Sequence, residues 1–202
     1  MTTLESWRNR LAEELTGKVI PFWEKFSIDR ECGGYLTCLE RNGQPYDGQK
    51  QMWMQWREVY MFAALYNSCF RKDEFFELAN HGFEFLRRHG RKEDGAYAYM
   101  LDRRGNIIAD KADGAEVFTS SFAAVAAAEL YQASGEQKYA DEAFHALKMY
   151  RAAVAAAENN SRTVHLAHPM IRLNVLSIMH RIFGDVVSRQ EINACRGNFK
   201  SF

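Results

Sequence analysis

Apolar side chains recur at spacings of three and four residues along most of this 202-residue chain. That spacing places them on one face of an α-helix, because residues three and four apart are neighbours on the helix surface. The pattern predicts six helices and the start of a seventh near residue 188. The six predicted helices span residues 4–26, 51–69, 73–89, 117–133, 137–157 and 169–183. We therefore expect an all-α fold.

Two segments between the helices carry a different pattern. Residues 32–44 and residues 96–108 each hold a short apolar stretch followed by a charged turn, and these turns contain Asn42-Gly43 and Gly105-Asn106. Asparagine and glycine adopt the backbone angles of tight hairpin turns easily. Helix pairs joined by alternating short and hairpin-bearing loops indicate an α/α toroid, with the hairpins and helix starts at one mouth. No Pro/Ser-rich linker interrupts residues 1–202, so we predict a single domain.

The charge balance argues against nucleic acid or a membrane surface as partner. Twenty-six basic and 26 acidic side chains cancel, whereas such partners usually require a basic patch. The amino-terminal segment is polar, and no stretch approaches the ~18 apolar residues of a membrane span. The four cysteines are scattered without metal-ligand spacing, which predicts free thiols, no metal and a cytoplasmic location. They are Cys32, Cys38, Cys69 and Cys195.

One arginine stands inside a run of aromatic and thioether side chains at residues 51–62. Helical spacing places Trp53, Arg57 and Tyr60 on one face. Such a face suits a sugar, because aromatic rings stack on its C–H groups while a guanidinium donates hydrogen bonds to its oxygens. The alternative is an arginine at a helix–helix seam with its stem packed and its head in water. Spacing alone leaves both interpretations open.

The same stretch, Trp53-Met54-Gln55-Trp56-Arg57-Glu58-Val59-Tyr60, resembles the W-x-Q-x-R-x-x-W/Y signature of the N-acylglucosamine 2-epimerase family. Residues 22–47 are similar to that family's first helix and hairpin, residues 118–139 to its fourth helix, and residues 168–174 to the segment that opens its sixth helix. The resemblance implies an (α/α)6 barrel of about twelve helices. This chain would form a half or incomplete barrel of that kind.

The resemblance also implies a reaction, the interconversion of N-acylglucosamine and N-acylmannosamine, with relatives that act on cellobiose, mannose or sulfoquinovose. Epimerisation at carbon 2 removes a proton next to the carbonyl of the opened sugar and returns one to the opposite face of the enediolate. It needs two proton carriers with pKa values near neutrality, a task that suits a histidine pair. It also needs a cationic donor for the enediolate oxygens, and arginine stays protonated in that role.

Arg57 matches the family's arginine, and we predict that it is the catalytic residue that stabilises the enediolate. Trp53, Tyr60 and Tyr35 are predicted to line the substrate pocket. Met170 and Ile171 are predicted substrate contacts too, because they match pocket-lining positions in some members of the family. The resemblance implies a nucleotide activator in some members, and we predict no cofactor or metal for the reaction itself.

The resemblance places both proton-transferring histidines beyond residue 202. Within the chain, His165 and His168 precede the sixth predicted helix and could form a pair at the mouth, or could be loop residues that bond backbone or water. Glu58 is expected to point to a different face of its helix from Arg57 and to be structural.

These expectations lead to two main hypotheses. In the first, the chain is the amino-terminal half of a sugar 2-epimerase and is inactive alone, because the catalytic histidines belong to the other half. In the second, it is a non-catalytic half-barrel that binds or assembles, as a homodimer or with a complementary chain. A helical-repeat scaffold without a sugar site is a third and weaker alternative.

Overall fold

The computed structural model describes residues 3–110, 115–160, 167–184, 187 and 189–198. These residues form eight α-helices, so the all-α prediction is confirmed. The helices are α1 Thr3–Glu14, α2 Ile20–Phe26, α3 Met52–Tyr66, α4 Asp73–His89, α5 Ala115–Ser134, α6 Gln137–Asn160, α7 Ala167–Phe183 and α8 Arg189–Asn198. The short strands are β1 Cys38–Leu39, β2 Pro45–Asp47, β3 Lys50–Gln51, β4 Met100–Leu101 and β5 Ile107–Ala109.

The first predicted helix differs from the structure. Residues 4–26 were expected to form one amphipathic helix, but a π-helical turn at Leu15–Val19 separates α1 from α2. Gly17 lies in this turn, and glycine is a poor helix former. Pro21 lies in the first turn of α2, where its missing N–H needs no intrahelical partner. No residue of α1 is buried, so the apolar side of this helix does not pack against the core.

The remaining helices pack in consecutive pairs, with α3 on α4, α5 on α6 and α7 on α8. In the first pair, the ring of Trp56 lies 6.0 Å from that of Phe83, in the second half of α4. Tyr66, at the end of α3, lies 5.5 Å from Phe76, at the start of α4. The two helices therefore run in opposite directions.

Three helices, α3, α5 and α7, lie side by side and form the inner layer, with α5 in the middle. Trp53 and Phe118, near the starts of α3 and α5, have ring centroids 6.4 Å apart. Asn67, just after α3, donates a hydrogen bond to the carboxylate of Glu129, late in α5, and Arg181, late in α7, pairs with the same carboxylate. These contacts show that the three helices are parallel, so all three begin at the same end of the layer.

Both predicted hairpins are present, and the second is joined by a strand that the pattern did not predict. β1 pairs with β2, and β4 pairs with both β5 and β3. Gly43 and Gly105 occupy the turns with φ of 86° and 96°, a region that favours glycine. Because β3 directly precedes α3, its pairing with β4 holds the second hairpin at the end where the inner helices begin.

The core is centred on α5, which is buried along most of its length between its neighbours. Its alanine-rich middle, residues 123–128, allows the adjacent helices to approach closely. Among the residues described, no helix is both long and apolar enough to span a membrane.

Candidate functional site

The face of α3 predicted from spacing is open in the structure. Arg57 is exposed, and Trp53 and Tyr60 are partly exposed, whereas most of the other positions of the helix are buried. Trp56 is one of these buried positions, since its ring packs against Phe83 and Tyr97. The side chains that could meet a ligand therefore lie along one stripe of α3.

Two aromatic residues of α5 complete the surroundings of Arg57. The guanidinium carbon lies 5.7 Å from the ring centre of Phe122, close enough for a cation–π contact. The ring of Trp53 lies 6.3 Å from Phe122 and 6.4 Å from Phe118. Neither phenylalanine was predicted from the sequence as a site residue. The signal that could have identified them is their position near the start of the helix that follows the second hairpin.

The charge of Arg57 has no counterion or hydrogen-bond acceptor among the described residues. Two other arginines, one on the inner layer and one on a hairpin, are paired: Arg181 with Glu129 and Arg103 with Asp29. A guanidinium carries five N–H donors. Those of Arg57 are available to a ligand.

A groove of about 670 Å³ runs along α3 beside Arg57 and Tyr60. Its walls are mostly apolar, with Leu15 and Trp23 opposite Met61 of α3. Small-molecule sites usually measure ~300–1,000 Å³ and combine apolar walls with a few polar groups. The groove has the size and the composition of such a site.

Tyr60 lines this groove and is also close to the buried carboxylate of Glu129. Burial and the nearby charge of Glu129 raise the pKa of the Tyr60 hydroxyl, so it stays protonated at neutral pH. Glu129 accepts a 2.8 Å hydrogen bond from Asn67 and pairs with Arg181. Glu129 thus links α5 to the ends of α3 and α7, and its carboxylate already has both of these partners.

Tyr35 does not line the groove, and its predicted role as a substrate contact is corrected. The side chain is fully buried, and its hydroxyl donates a 2.8 Å hydrogen bond to the carbonyl of Leu78. A Cβ at Gly82 would lie 2.3 Å from the Tyr35 ring. The glycine in the middle of α4 therefore makes room for Tyr35, and it was the sequence signal for this packing.

Met170 and Ile171 lie at the start of α7, on the inner layer. Met170 is 52% exposed and Ile171 packs partly against the core, and neither lines the groove beside Arg57. His168 is partly buried in the first turn of α7, and His165 lies outside the described residues. The proposed pairing of these two histidines therefore stays a prediction.

Glu58 follows Arg57 but occupies the side of α3 that faces the end of α2. Burial, with only 6% of the residue exposed, raises the pKa of its carboxyl to about 8, and a hydrogen bond with Ser27 opposes only part of that shift. Its Oε1 atom has no hydrogen-bond partner in the described structure. Because this carboxyl is mostly protonated at neutral pH, it leaves the charge of Arg57 largely uncompensated.

A buried ionic cluster, here called the clasp, fixes the hairpins to the start of α3. Lys50 Nζ lies 3.0 Å from Asp29 and also donates to the carbonyls of Gly33 and Arg103. Arg103 donates two hydrogen bonds to Asp29, of 2.9 and 3.0 Å. Burial alone would raise the pKa of Asp29, but these donors outweigh it and lower the pKa to about 2. Sequence reasoning missed the clasp, because its members are far apart in the chain.

The described part of the chain contains no group of three histidine, cysteine, aspartate or glutamate side chains placed to hold a metal ion. Cys32, Cys38 and Cys69 are free thiols.

The family model described as N-acylglucosamine 2-epimerase matches residues 34–175. N-acylglucosamine 2-epimerase of Bos taurus is 37% identical over 145 residues, which cover 70% of this chain and 33% of that protein. Cellobiose 2-epimerase of Dictyoglomus turgidum is 30% identical over 149 residues, with 72% and 37% covered. The chain thus spans about a third of the length of these curated relatives.

Solved structures share the fold at lower identity. Cellobiose 2-epimerase from Bacillus thermoamylovorans B4167 superposes with a TM-score of 0.77 and 19% identity, covering 95% of this chain and 54% of that one. A sugar epimerase from a ruminal bacterium gives 0.71 and 19%, covering 93% and 52%. The chain therefore has the fold of about half of an (α/α)6 barrel. Since the family model matches well over half of its residues, the chain belongs to the N-acylglucosamine 2-epimerase family.

Proposed function

We propose that this chain forms the arginine-bearing wall of a sugar 2-epimerase site. The substrate is an N-acylglucosamine, an N-acylmannosamine or a related aldose, which is epimerised at carbon 2 through an enediolate. The observation that carries the proposal is the unpaired guanidinium of Arg57, next to Trp53 and Phe122 at the starts of two inner helices.

Each residue has a separate task in this proposal. Trp53 stacks on a C–H face of the sugar, as the amphipathic ring of tryptophan allows. Arg57 donates hydrogen bonds to sugar oxygens, and it stabilises the negative charge that develops on the enediolate oxygen. Tyr60 contributes a protonated hydroxyl, and Met170 and Ile171 remain proposed contacts because their helix begins at the same end as α3.

Proton transfer requires two groups on opposite faces of carbon 2. The described side chains around Arg57 are mainly aromatic or apolar, and the one carboxyl that lines the groove, Glu58, is a single group where two are needed. We infer that the proton carriers belong to the part of the family fold that this chain does not cover. The chain by itself then binds the sugar without epimerising it.

Two further points remain proposals. The free thiols of Cys32, Cys38 and Cys69 support a reducing compartment, and we propose the cytoplasm. Activation by a nucleotide is an expectation from the family resemblance.

Sugar binding by the purified chain tests the proposal. We expect saturation-transfer NMR to detect N-acetylglucosamine and N-acetylmannosamine, and Arg57→Ala to weaken binding at least about tenfold, since a hydrogen bond from a charged group contributes ~1.5–3 kcal/mol. Arg88→Ala, which removes an exposed arginine of α4, is the matched control and should bind normally.

The same samples report on catalysis. No second epimer should accumulate during incubation of either sugar with the chain alone. Undiminished binding by Arg57→Ala would contradict the role of the arginine, and rapid formation of the C2 epimer would contradict the inference about proton transfer.

A further inference from the structure

Phe122 of α5 lies beside both of the α3 residues that the proposed function gives the main contacts with substrate. The centre of its ring is 5.7 Å from the guanidinium carbon of Arg57 and 6.3 Å from the ring centre of Trp53. The ring is partly exposed and packs against the core on its other side. A second helix therefore contacts the arginine that is proposed to bind the sugar.

The contact follows from the packing of two parallel helices. Arg57 follows Trp53 by four residues on α3, and Phe122 follows Phe118 by four residues on α5. Residues at this spacing lie one above the other on the same face of a helix. Because the rings of Trp53 and Phe118 are neighbours in the first turns, the next turns bring Arg57 and Phe122 together. Helix packing, and not a loop, sets this pair.

An exposed arginine that binds a ligand has to be ordered when the ligand arrives. Its long side chain has many rotamers, and their loss on binding reduces the affinity. A carboxylate partner would order the guanidinium in advance, but it would take up N–H donors and compensate the positive charge. Arg57 has no such partner among the described residues.

An aromatic ring can order a guanidinium without these two disadvantages. The face of the ring attracts a cation that lies within ~6 Å of its centre. Phenylalanine has no oxygen or nitrogen that could accept the N–H donors, and its ring carries no charge. At 5.7 Å from Phe122, Arg57 is attracted to the ring and keeps both its charge and its donors.

α5 is a firm support for this ring. Ser121 and Ala123, the neighbours of Phe122 in the chain, are buried, and the helix packs against α3, α6 and α7. Closely packed side chains have little room to move. The ring is thus held by the inner layer, whereas Arg57 belongs to the exposed stripe of α3.

We propose that Phe122 is a positioning residue for Arg57. Its ring holds the guanidinium beside the Trp53 ring before the sugar binds, and it leaves the N–H donors to the sugar oxygens. The inference rests on the proposed function, in which Arg57 contacts the substrate. Phe122 acts on the affinity for sugar through Arg57 and does not need to touch the sugar itself.

The NMR signal of the Arg57 Nε–H group in the ligand-free chain tests the position of the guanidinium without any sugar. A nearby ring displaces the resonance of a proton, and Arg57→Ala identifies the signal. Phe122→Leu keeps an apolar side chain but removes the ring, so the signal should move to the position of a free arginine. Phe122→Tyr keeps a ring and should keep the displacement. Phe118→Leu, one turn earlier on α5, is the matched control and should leave the Arg57 signal displaced.

The affinity for N-acetylmannosamine gives the second readout. Phe122→Leu should weaken binding about two- to fivefold, as expected for the loss of an exposed cation–π contact, and Phe122→Tyr should bind normally. In an Arg57→Ala background, Phe122→Leu should cause no further loss, because no guanidinium is left to position.

Three results would overturn the positioning role while the proposed function stands. They are an Arg57 signal that Phe122→Leu leaves unmoved, a sugar affinity that this substitution leaves undiminished, and a further loss of affinity in the Arg57→Ala background. The last result would assign the effect to Trp53 or to a direct contact between Phe122 and the sugar. Absence of sugar binding by the wild type would overturn the proposed function, and this inference with it.

Discussion

Two cations lie close together in the sequence near the start of α3, and their environments are opposite. Lys50 is fully buried in the clasp, where Asp29 and two carbonyl oxygens accept its hydrogen bonds. Arg57 is exposed beside aromatic rings and has no acceptor among the described residues. The contrast distinguishes a structural cation from a candidate ligand-binding one. All the hydrogen bonds of Lys50 go to groups of the fold, whereas the N–H donors of Arg57 are free for a substrate.

The largest expected effect is at the clasp. Lys50→Met leaves Arg103 as the one cation paired with the buried carboxylate of Asp29 among the described residues and removes a donor from two carbonyls. It should therefore lower the free energy of unfolding by about 3–5 kcal/mol. Urea denaturation measures the change. Lys72→Met is the control, because Lys72 is a half-exposed partner of Glu24 and should change stability by less than about 1 kcal/mol. Equal losses of stability in Lys50→Met and Lys72→Met would show that the clasp contributes no more than a surface ion pair.

Next in size is the pH dependence that Glu58 imposes. Its pKa is about 8 in the folded chain and about 4.5 in the unfolded chain, so the unfolded state releases this proton first as the pH rises. The contribution of Glu58 therefore lowers the free energy of unfolding progressively between pH about 4.5 and about 8. Glu58→Gln removes that loss, and at pH 7 it should be more stable than the wild type by on the order of 3 kcal/mol.

Urea denaturation at several pH values in this window checks the Glu58 prediction. The difference between the two proteins should shrink towards the acidic end of the window. A difference that is constant with pH would show that Glu58 ionises normally in the folded chain.

Arg57→Ala should have a smaller effect, and in a different measurement. Because the side chain is exposed and unpaired, its removal should change the free energy of unfolding by less than about 0.5 kcal/mol while it weakens sugar binding. Arg103→Ala is the comparison, since it removes two hydrogen bonds to Asp29 and should lower the free energy of unfolding more than Arg57→Ala does. If thermal unfolding showed similar losses for both, Arg57 would be a seam residue.

The smallest effect concerns Tyr35. Tyr35→Phe removes the hydrogen bond to the Leu78 carbonyl and should lower the free energy of unfolding by about 1 kcal/mol, with sugar binding unchanged. Calorimetric unfolding combined with the NMR binding assay tests both parts. Weaker sugar binding at an unchanged free energy of unfolding would show that Tyr35 contributes to the sugar pocket after all.

Much of the fold could be predicted because its signals are local. The helix that ends before Gly135 and the hairpin turn at Gly43 follow from glycines that adopt positive φ in the structure, at 73° and 86°. The shared face of Trp53, Arg57 and Tyr60 follows from helical spacing. Each of these features depends on residues that are close in the sequence.

The features that were missed depend on distant residues. The clasp joins Asp29 to a lysine 21 residues away and to an arginine 74 residues away, and no local pattern specifies those partners. Tyr35 was predicted to line the pocket, but an aromatic residue on a hairpin can point to either side of it. Its direction depends on Gly82 in another helix.

One measurement tests the sugar site most directly. The chain has four tryptophans, so its NMR spectrum should contain four indole N–H signals. As N-acetylmannosamine is added, we predict a saturable shift of the Trp53 signal, no shift of the buried Trp56, and no shift of either in Arg57→Ala. A Trp53 signal that stays unmoved at saturating sugar, or that moves equally in Arg57→Ala, would contradict the assignment of this wall to substrate.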